Sequence, residues 1–280
     1  MLDIIVDVLL DSVKILPFLF GAYLLIELLE TVSEEKTVAL VHKAGKWGPV
    51  IGGTLGVIPQ CGFSAATANL YAGGIITRGT ILAVFLSTSD EMLPIFISRS
   101  VPLPLILKVL GYKLVVGVIV GLAVDALEKH EEREHIHELC EQEGCNCEDG
   151  VLKSALRHTV KIFGFLLLVN FLVSLAVESV GTERLAGFIL NKPVVGSLLS
   201  GLIGLIPNCA ASVVITELYL QGGMSAGAML SGLLVGSGVG ILMLCRMNRN
   251  WKDNLKTVSL LYVSGVLFGC LAELLPIFCV

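Results

Sequence analysis

Residues 105–127 read LILKVLGYKLVVGVIVGLAVDAL, an apolar run broken by only three charged side chains. A run of that length meets the roughly 20 residues that a helix needs to cross a hydrocarbon core about 30 Å thick. Comparable stretches lie at about 8–32, 78–97, 155–180, 226–245 and 254–275. Composition agrees, with 55% hydrophobic and 15% charged residues, where soluble domains carry about a quarter charged residues. The chain reads as an all-α integral membrane protein whose main partner is the lipid bilayer. Asp3, Asp7 and Asp11 stand where a signal peptide would have a basic region, so the first span is expected to be retained. Those three acids form a stripe expected on a solvated interfacial face. No basic patch suited to nucleic acid is present.

Two short stretches interrupt the apolar pattern in the same way. GVIPQCGFSA (56–65) and GLIPNCAASV (204–213) each place a proline, an amide and a thiol inside a hydrophobic segment. Proline lacks an N–H and clashes with the preceding turn, so it breaks a helix there. At a constant offset of 148, Gly56, Pro59, Cys61, Tyr71, Gly74, Gly79 and Ser89 recur as Gly204, Pro207, Cys209, Tyr219, Gly222, Gly227 and Ser237. Further on, Lys108, Gly117, Gly121 and Asp125 match Lys256, Gly265, Gly269 and Glu273. The economical reading is an internal duplication: residues 1–127 as one transmembrane repeat, 128–150 as a linker and 151–280 as the second repeat.

Each unit reads as a long span, a proline-broken segment (47–76 and 194–224) and two further spans, giving about ten helical segments in all. An arm of the broken segment reaches only about 20–24 Å at 1.5 Å per residue. A hairpin of two half-length helices fits that reach, and a single kinked helix is the alternative. Three spans plus a hairpin make an odd number of crossings, so the second copy is expected to be inserted upside down. That arrangement puts Lys36, Lys43, Lys46, Arg78, Lys129, Arg133, Lys153, Arg157, Lys161, Arg246, Arg249, Lys252 and Lys256 on one side. Lys14, Arg99, Lys108, Lys113, Arg184 and Lys192 fall on the other. The bias follows the positive-inside rule and predicts a multi-pass protein of a prokaryotic plasma membrane with both termini outside and the linker in the cytoplasm. Inverted repeats with interrupted helices characterise secondary transporters that bind solute where the repeats meet.

The residues expected to handle a solute are few. The tips offer Gln60 with Cys61 and Asn208 with Cys209, which either line a path or satisfy backbone groups at a packed break. Asp90 and Glu91, preceded by Ser89 in LSTSDEMLPIF, lie toward the end of an apolar span. A carboxylate there is costly unless it faces a cavity or a partner; the alternative is an interfacial pair with Arg99. Ser237 is retained in the second copy without the acids. Asn69 and Glu217 hold equivalent positions in the outgoing hairpin arms and are secondary candidates. In the acidic linker, His135, His137, Cys140, Cys145 and Cys147 form a set of soft donors suited to zinc or copper. Their spacing is not that of a structural zinc finger, and a solvated acidic helix is the other reading.

With these motifs in view, the chain resembles the prokaryotic ten-span heavy-metal exporters, relatives of the arsenic permeases, some of which are labelled manganese transporters. The resemblance covers essentially the whole sequence and implies efflux of a metal or metalloid. It also implies functional roles for Gln60, Cys61, Ser89, Asp90, Glu91, Asn208 and Cys209. Oxygen donors outnumber thiols in the expected core, and Mn²⁺ prefers oxygen, so a divalent cation with Mn²⁺ first is the expected cargo. Arsenite or an organoarsenical, held by the tip thiols, is the second expectation. No Walker A sequence is present, so coupling to protons through a core carboxylate is expected. No cofactor is expected beyond the transported ion and any soft metal on the linker. His-Glu-x-x-His is lacking, so no enzyme is expected, and a membrane metal sensor that transports nothing is the third reading.

Overall fold

A computed structural model describes residues 47–58, 61–89, 92–128 and 193–274, with scattered helical residues between 13 and 24 and between 152 and 171. Every regular element among the described residues is a helix. The first half contributes α1 (Gly48–Gly56), α2 (Cys61–Ala72), α3 (Arg78–Ser87), α4 (Met92–Ser98) and α5 (Leu103–Leu127). The second contributes α6 (Pro193–Gly204), α7 (Cys209–Leu220), α8 (Ala226–Val235), α9 (Gly240–Met247) and α10 (Trp251–Glu273). Four stretches are long and apolar enough to cross a membrane among the described residues: Arg78–Ser98, Leu103–Leu127, Ala226–Met247 and Trp251–Glu273. The all-helical membrane class expected from the sequence is therefore present.

The proline-broken segments fold back on themselves. Cβ atoms built on Gly48, Gly52 and Gly56 of α1 would meet Thr80, then Thr80 and Val84, then Val84 and Ser87, so α1 runs parallel to α3. On α2, Tyr71 near the C-terminal end bonds Arg78 at the start of α3, so α2 returns toward the face from which α1 entered. The second half repeats this. Ser231 Oγ bonds Ser197 O in α6 at 2.7 Å, and Gly204 lies against the Gly232 carbonyl and the Gly236 amide.

Close helix packing depends on small residues, as is usual between membrane helices. A Cβ on Gly117 would stand 2.7 Å from Ala83 O, and one on Gly269 would stand 2.5–2.8 Å from Ser231. Carboxylates from the closing span cap the opening one in both halves. The Gly79 amide donates to Asp125 Oδ1 at 2.8 Å and the Gly227 amide to Glu273 Oε2 at 2.7 Å. Thr77 and Ser225 serve as the side-chain N-caps of α3 and α8. These contacts satisfy amides that a helix N-terminus leaves without intrahelical partners.

Two features differ from the sequence reading. The segments 78–97 and 226–245 are each broken midway, between α3 and α4 and between α8 and α9. Hydroxyl and glycine residues cause this: Ser87-Thr88-Ser89 in one case and Gly236-Ser237-Gly238 in the other, with Gly238 at φ 54°. Only glycine adopts that left-handed conformation without steric cost. Lys113, counted with the outer charges, is instead 1% exposed in the middle of α5.

Candidate functional site: two broken helices facing a buried lysine

The first break is lined by hydroxyls that bond back to the helix they end. Thr88 Oγ1 donates to Val84 O at 2.7 Å, Ser87 Oγ to the same carbonyl at 3.1 Å and Ser89 Oγ to Ser87 O at 3.1 Å. Val84 O also accepts the Thr88 amide at 3.0 Å, so Ser87 and Thr88 add hydroxyls to a carbonyl already bonded, whereas Ser89 takes up Ser87 O in the last turn, which the break releases. Each hydroxyl spends its proton in this way and retains oxygen lone pairs that suit a cation. Ser87, Thr88 and Ser89 are all buried.

The second break lacks such compensation. Ser237 is fully buried, and among the described residues its Oγ has no hydrogen-bond partner; Ser200 Oγ is in the same condition. A buried polar group without a partner costs roughly 1–3 kcal/mol, which makes Ser237 a site that accepts such a cost. Lys113 joins the two breaks. Its Nζ donates to Thr88 O at the first and, at 2.7 Å, to Leu233 O in the last turn of α8 at the second.

Each half completes the other's site. The α2 arm packs along α9, and the α7 arm along α4. A Cβ on Gly240, the first residue of α9, would lie 2.7 Å from Ser64 Cβ and 2.8 Å from the Phe85 ring. The first turns of α2 and α9 therefore meet beside α3. On the other side the Phe96 and Tyr219 rings lie 6.5 Å apart.

The expected site residues fall as follows. Ser89 and Ser237 lie at the two breaks. Asn208 is buried and caps α7, its Oδ1 accepting from the Ala210 amide at 3.1 Å. Cys209 begins α7 and is buried with it. Asn69 is fully buried and donates to Ala65 O within its own helix at 3.2 Å. Its counterpart Glu217 pairs with Arg99 through two nitrogens at 2.9 and 3.1 Å. Arg99, the partner considered for Asp90 and Glu91, is thus engaged with the other half. Cys61 opens α2. Gln60, Asp90, Glu91, His135, His137, Cys140, Cys145 and Cys147 lie outside the described residues, as does the side chain of Cys61. Among the described residues no group of three or more His, Cys, Asp or Glu side chains gathers to hold a metal ion.

The sequence reading missed Lys113 as a site residue, and it missed a charge cluster on one face. Arg78, 7% exposed, reaches Glu128 and Asp253 through its two terminal nitrogens. Tyr71 OH donates to Asp253 Oδ2 at 2.8 Å, Asn248 Nδ2 donates to the same oxygen at 2.7 Å, and Lys256 Nζ meets Glu128 Oε1 at 2.8 Å. Burial pushes the Glu128 carboxyl up, but bonds from Lys256 and Arg78 outweigh it and hold the group below the usual carboxylate range. An arginine inside an apolar helical stretch with acids in the facing half was the available signal.

Interrupted, tightly packed apolar spans that enclose a polar seam define an integral membrane protein of the transporter kind. Comparison with known families makes this specific. The model of a family described as "Putative, 10TM heavy-metal exporter" matches residues 1–184 of the 280. The chain belongs to that family, and with it to the membrane transporters of metal ions. No curated protein and no solved structure matches the chain.

Proposed function

We propose that the protein is a secondary, proton-coupled exporter of a divalent metal cation, with Mn²⁺ the favoured cargo. The observation that carries this reading is the seam between the two helix breaks. There Ser89, Ser237 and the freed carbonyls present hard oxygen donors of the kind Mn²⁺ prefers. Asp90 and Glu91 follow Ser89 directly in sequence and supply the charge such a cation needs. Gln60 and Cys61 on one tip, and Asn208 and Cys209 on the other, flank the path. The buried Cys209 supports the second reading, efflux of arsenite or an organoarsenical, since trivalent arsenic prefers sulfur.

The two halves are inverted repeats in this reading. In its support, Glu128, just past the C-terminal end of α5, meets Lys256 near the start of the equivalent helix α10. Farther back along α5, Tyr112 OH bonds Phe268 O toward the far end of α10. The face carrying Arg78, Lys256 and the linker is cytoplasmic, as the excess of basic residues favours. The linker, with His135, His137, Cys140, Cys145 and Cys147, then collects or senses soft metal on that side.

Manganese, zinc and arsenic contents of cells with and without the protein test the reading. Lower manganese on expression is the expected result, selective lowering of arsenic supports the second reading, and equal contents of all three refute export. In proteoliposomes, collapsing the pH gradient should stop transport; undiminished transport would remove proton coupling.

A further inference from the structure

Lys113 has no place in the mechanism so far, yet it sits at the centre of the seam. It is 1% exposed, in the middle of a 25-residue helix, and its equivalent in the second half is the fully buried Leu261. A lysine within a membrane span is expensive and marks function by default. Its two identified acceptors are carbonyls of a particular kind. Leu233 O lies in the last turn of α8, and its usual partner, the amide four residues on, belongs to Ser237 beyond the break. Thr88 O caps α3 at the other break. The C-terminal ends of broken helices carry partial negative charge and coordinate cations in membrane transporters. One such end from each half converges on a single ammonium. A second, independent observation lies at the same break: Ser237 Oγ, four residues past Leu233, is fully buried and has no hydrogen-bond partner among the described residues.

We propose that Lys113 is a tethered counter-cation in the transport path. Its ammonium fills a cation position built from the carbonyls of two broken helices, and the exported ion and the ammonium exclude each other there. Occupied by Lys113, the seam is neutralised and held shut. Entry of a divalent cation requires the ammonium to release the carbonyls, and its return expels the ion. The asymmetry of the halves follows, since one ammonium serves two breaks and a second lysine in place of Leu261 would repel it. The proposal rests on the exporter reading.

The test measures Mn²⁺ and Zn²⁺ binding to the purified full chain by calorimetry, and export from proteoliposomes, for wild type and K113Q, K113M and K113R. K113Q keeps N–H donors for both carbonyls without charge, so it remains informative where K113M fails to fold. The expected result is binding tightened tenfold or more in K113Q and K113M, with slowed export, and wild-type affinity in K113R. A merely structural lysine would leave K113Q unchanged or weaken its binding, and either outcome overturns the proposal. Absence of binding and export in the wild type as well would instead defeat the exporter reading, and this proposal with it.

Discussion

The two helix breaks occupy equivalent places and solve the same problem differently. At the first, Ser87, Thr88 and Ser89 turn their hydroxyls back onto carbonyls, and two acids follow in sequence. At the second, two glycines flank a serine whose hydroxyl finds no hydrogen-bond partner among the described residues. The first break is chemically furnished, and the second supplies space and carbonyl dipoles. The two breaks share their place in the chain, while the acids follow only the first. That asymmetry suits one ion site per chain better than two.

The comparison is most severely tested at the furnished break. Asp90→Asn should abolish export while leaving the detergent-purified protein monodisperse; unimpaired export would make the two breaks functionally equal. A structural contrast comes next. Arg78→Ala strands Asp253 without its main cation, a change worth roughly 3–5 kcal/mol for a buried pair, and should lower the unfolding temperature markedly. On the opposite end Glu217→Ala removes a pair with a largely exposed Arg99, worth about 0–1 kcal/mol. Equal shifts in the two variants would show that burial does not distinguish the two links. Gly117→Val and Gly265→Val, at equivalent helix crossings, should each cost roughly 1–3 kcal/mol by overpacking, read as matching losses in thermal stability.

The smallest effects lie at Glu128 and Ser237. The folded-state pKa of Glu128 is depressed, so its stabilising contribution is complete above the ordinary glutamate value of 4.5 and fades as pH falls through the lower folded value. Wild type and Glu128→Gln should therefore differ in unfolding temperature at neutral pH and converge on acidification. A difference that persisted unchanged at low pH would remove the charge from the link. Ser237→Ala should leave stability unchanged or slightly raised, because it deletes an unsatisfied hydroxyl, yet alter cation selectivity. Ser89→Ala, which frees a bonded carbonyl, should cost about 1 kcal/mol.

Much of this was legible because membrane helices announce themselves by length, and prolines by what they forbid. The helix break in each tip motif was legible from its proline, and the offset of 148 paired Asp125 with Glu273 without showing that they cap α3 and α8. The mid-span breaks did not stand out. Serine and threonine can sit inside a helix by bonding carbonyls one turn back, so Ser87-Thr88-Ser89 gives no local signal of interruption. Lys113 was hidden for a related reason. The charge count assigned it to the outer face, and only packing shows its ammonium buried at mid-span. The Arg78 cluster joins residues far apart in sequence, which no local pattern encodes.

The exchange of arms between the halves has a consequence for how the protein is made. The α2 face that meets Gly240 is synthesised long before α9 exists, and α4 likewise precedes α7. Domains usually fold as units during synthesis, the N-terminal part first. Here the first half leaves the ribosome with the first turn of α2 uncovered and must wait in the bilayer for the second. Biogenesis therefore has a vulnerable interval, closed only when the last two described helices arrive. Chains truncated after residue 225 should accordingly be degraded as unassembled intermediates, while separately expressed halves should accumulate only when both are present.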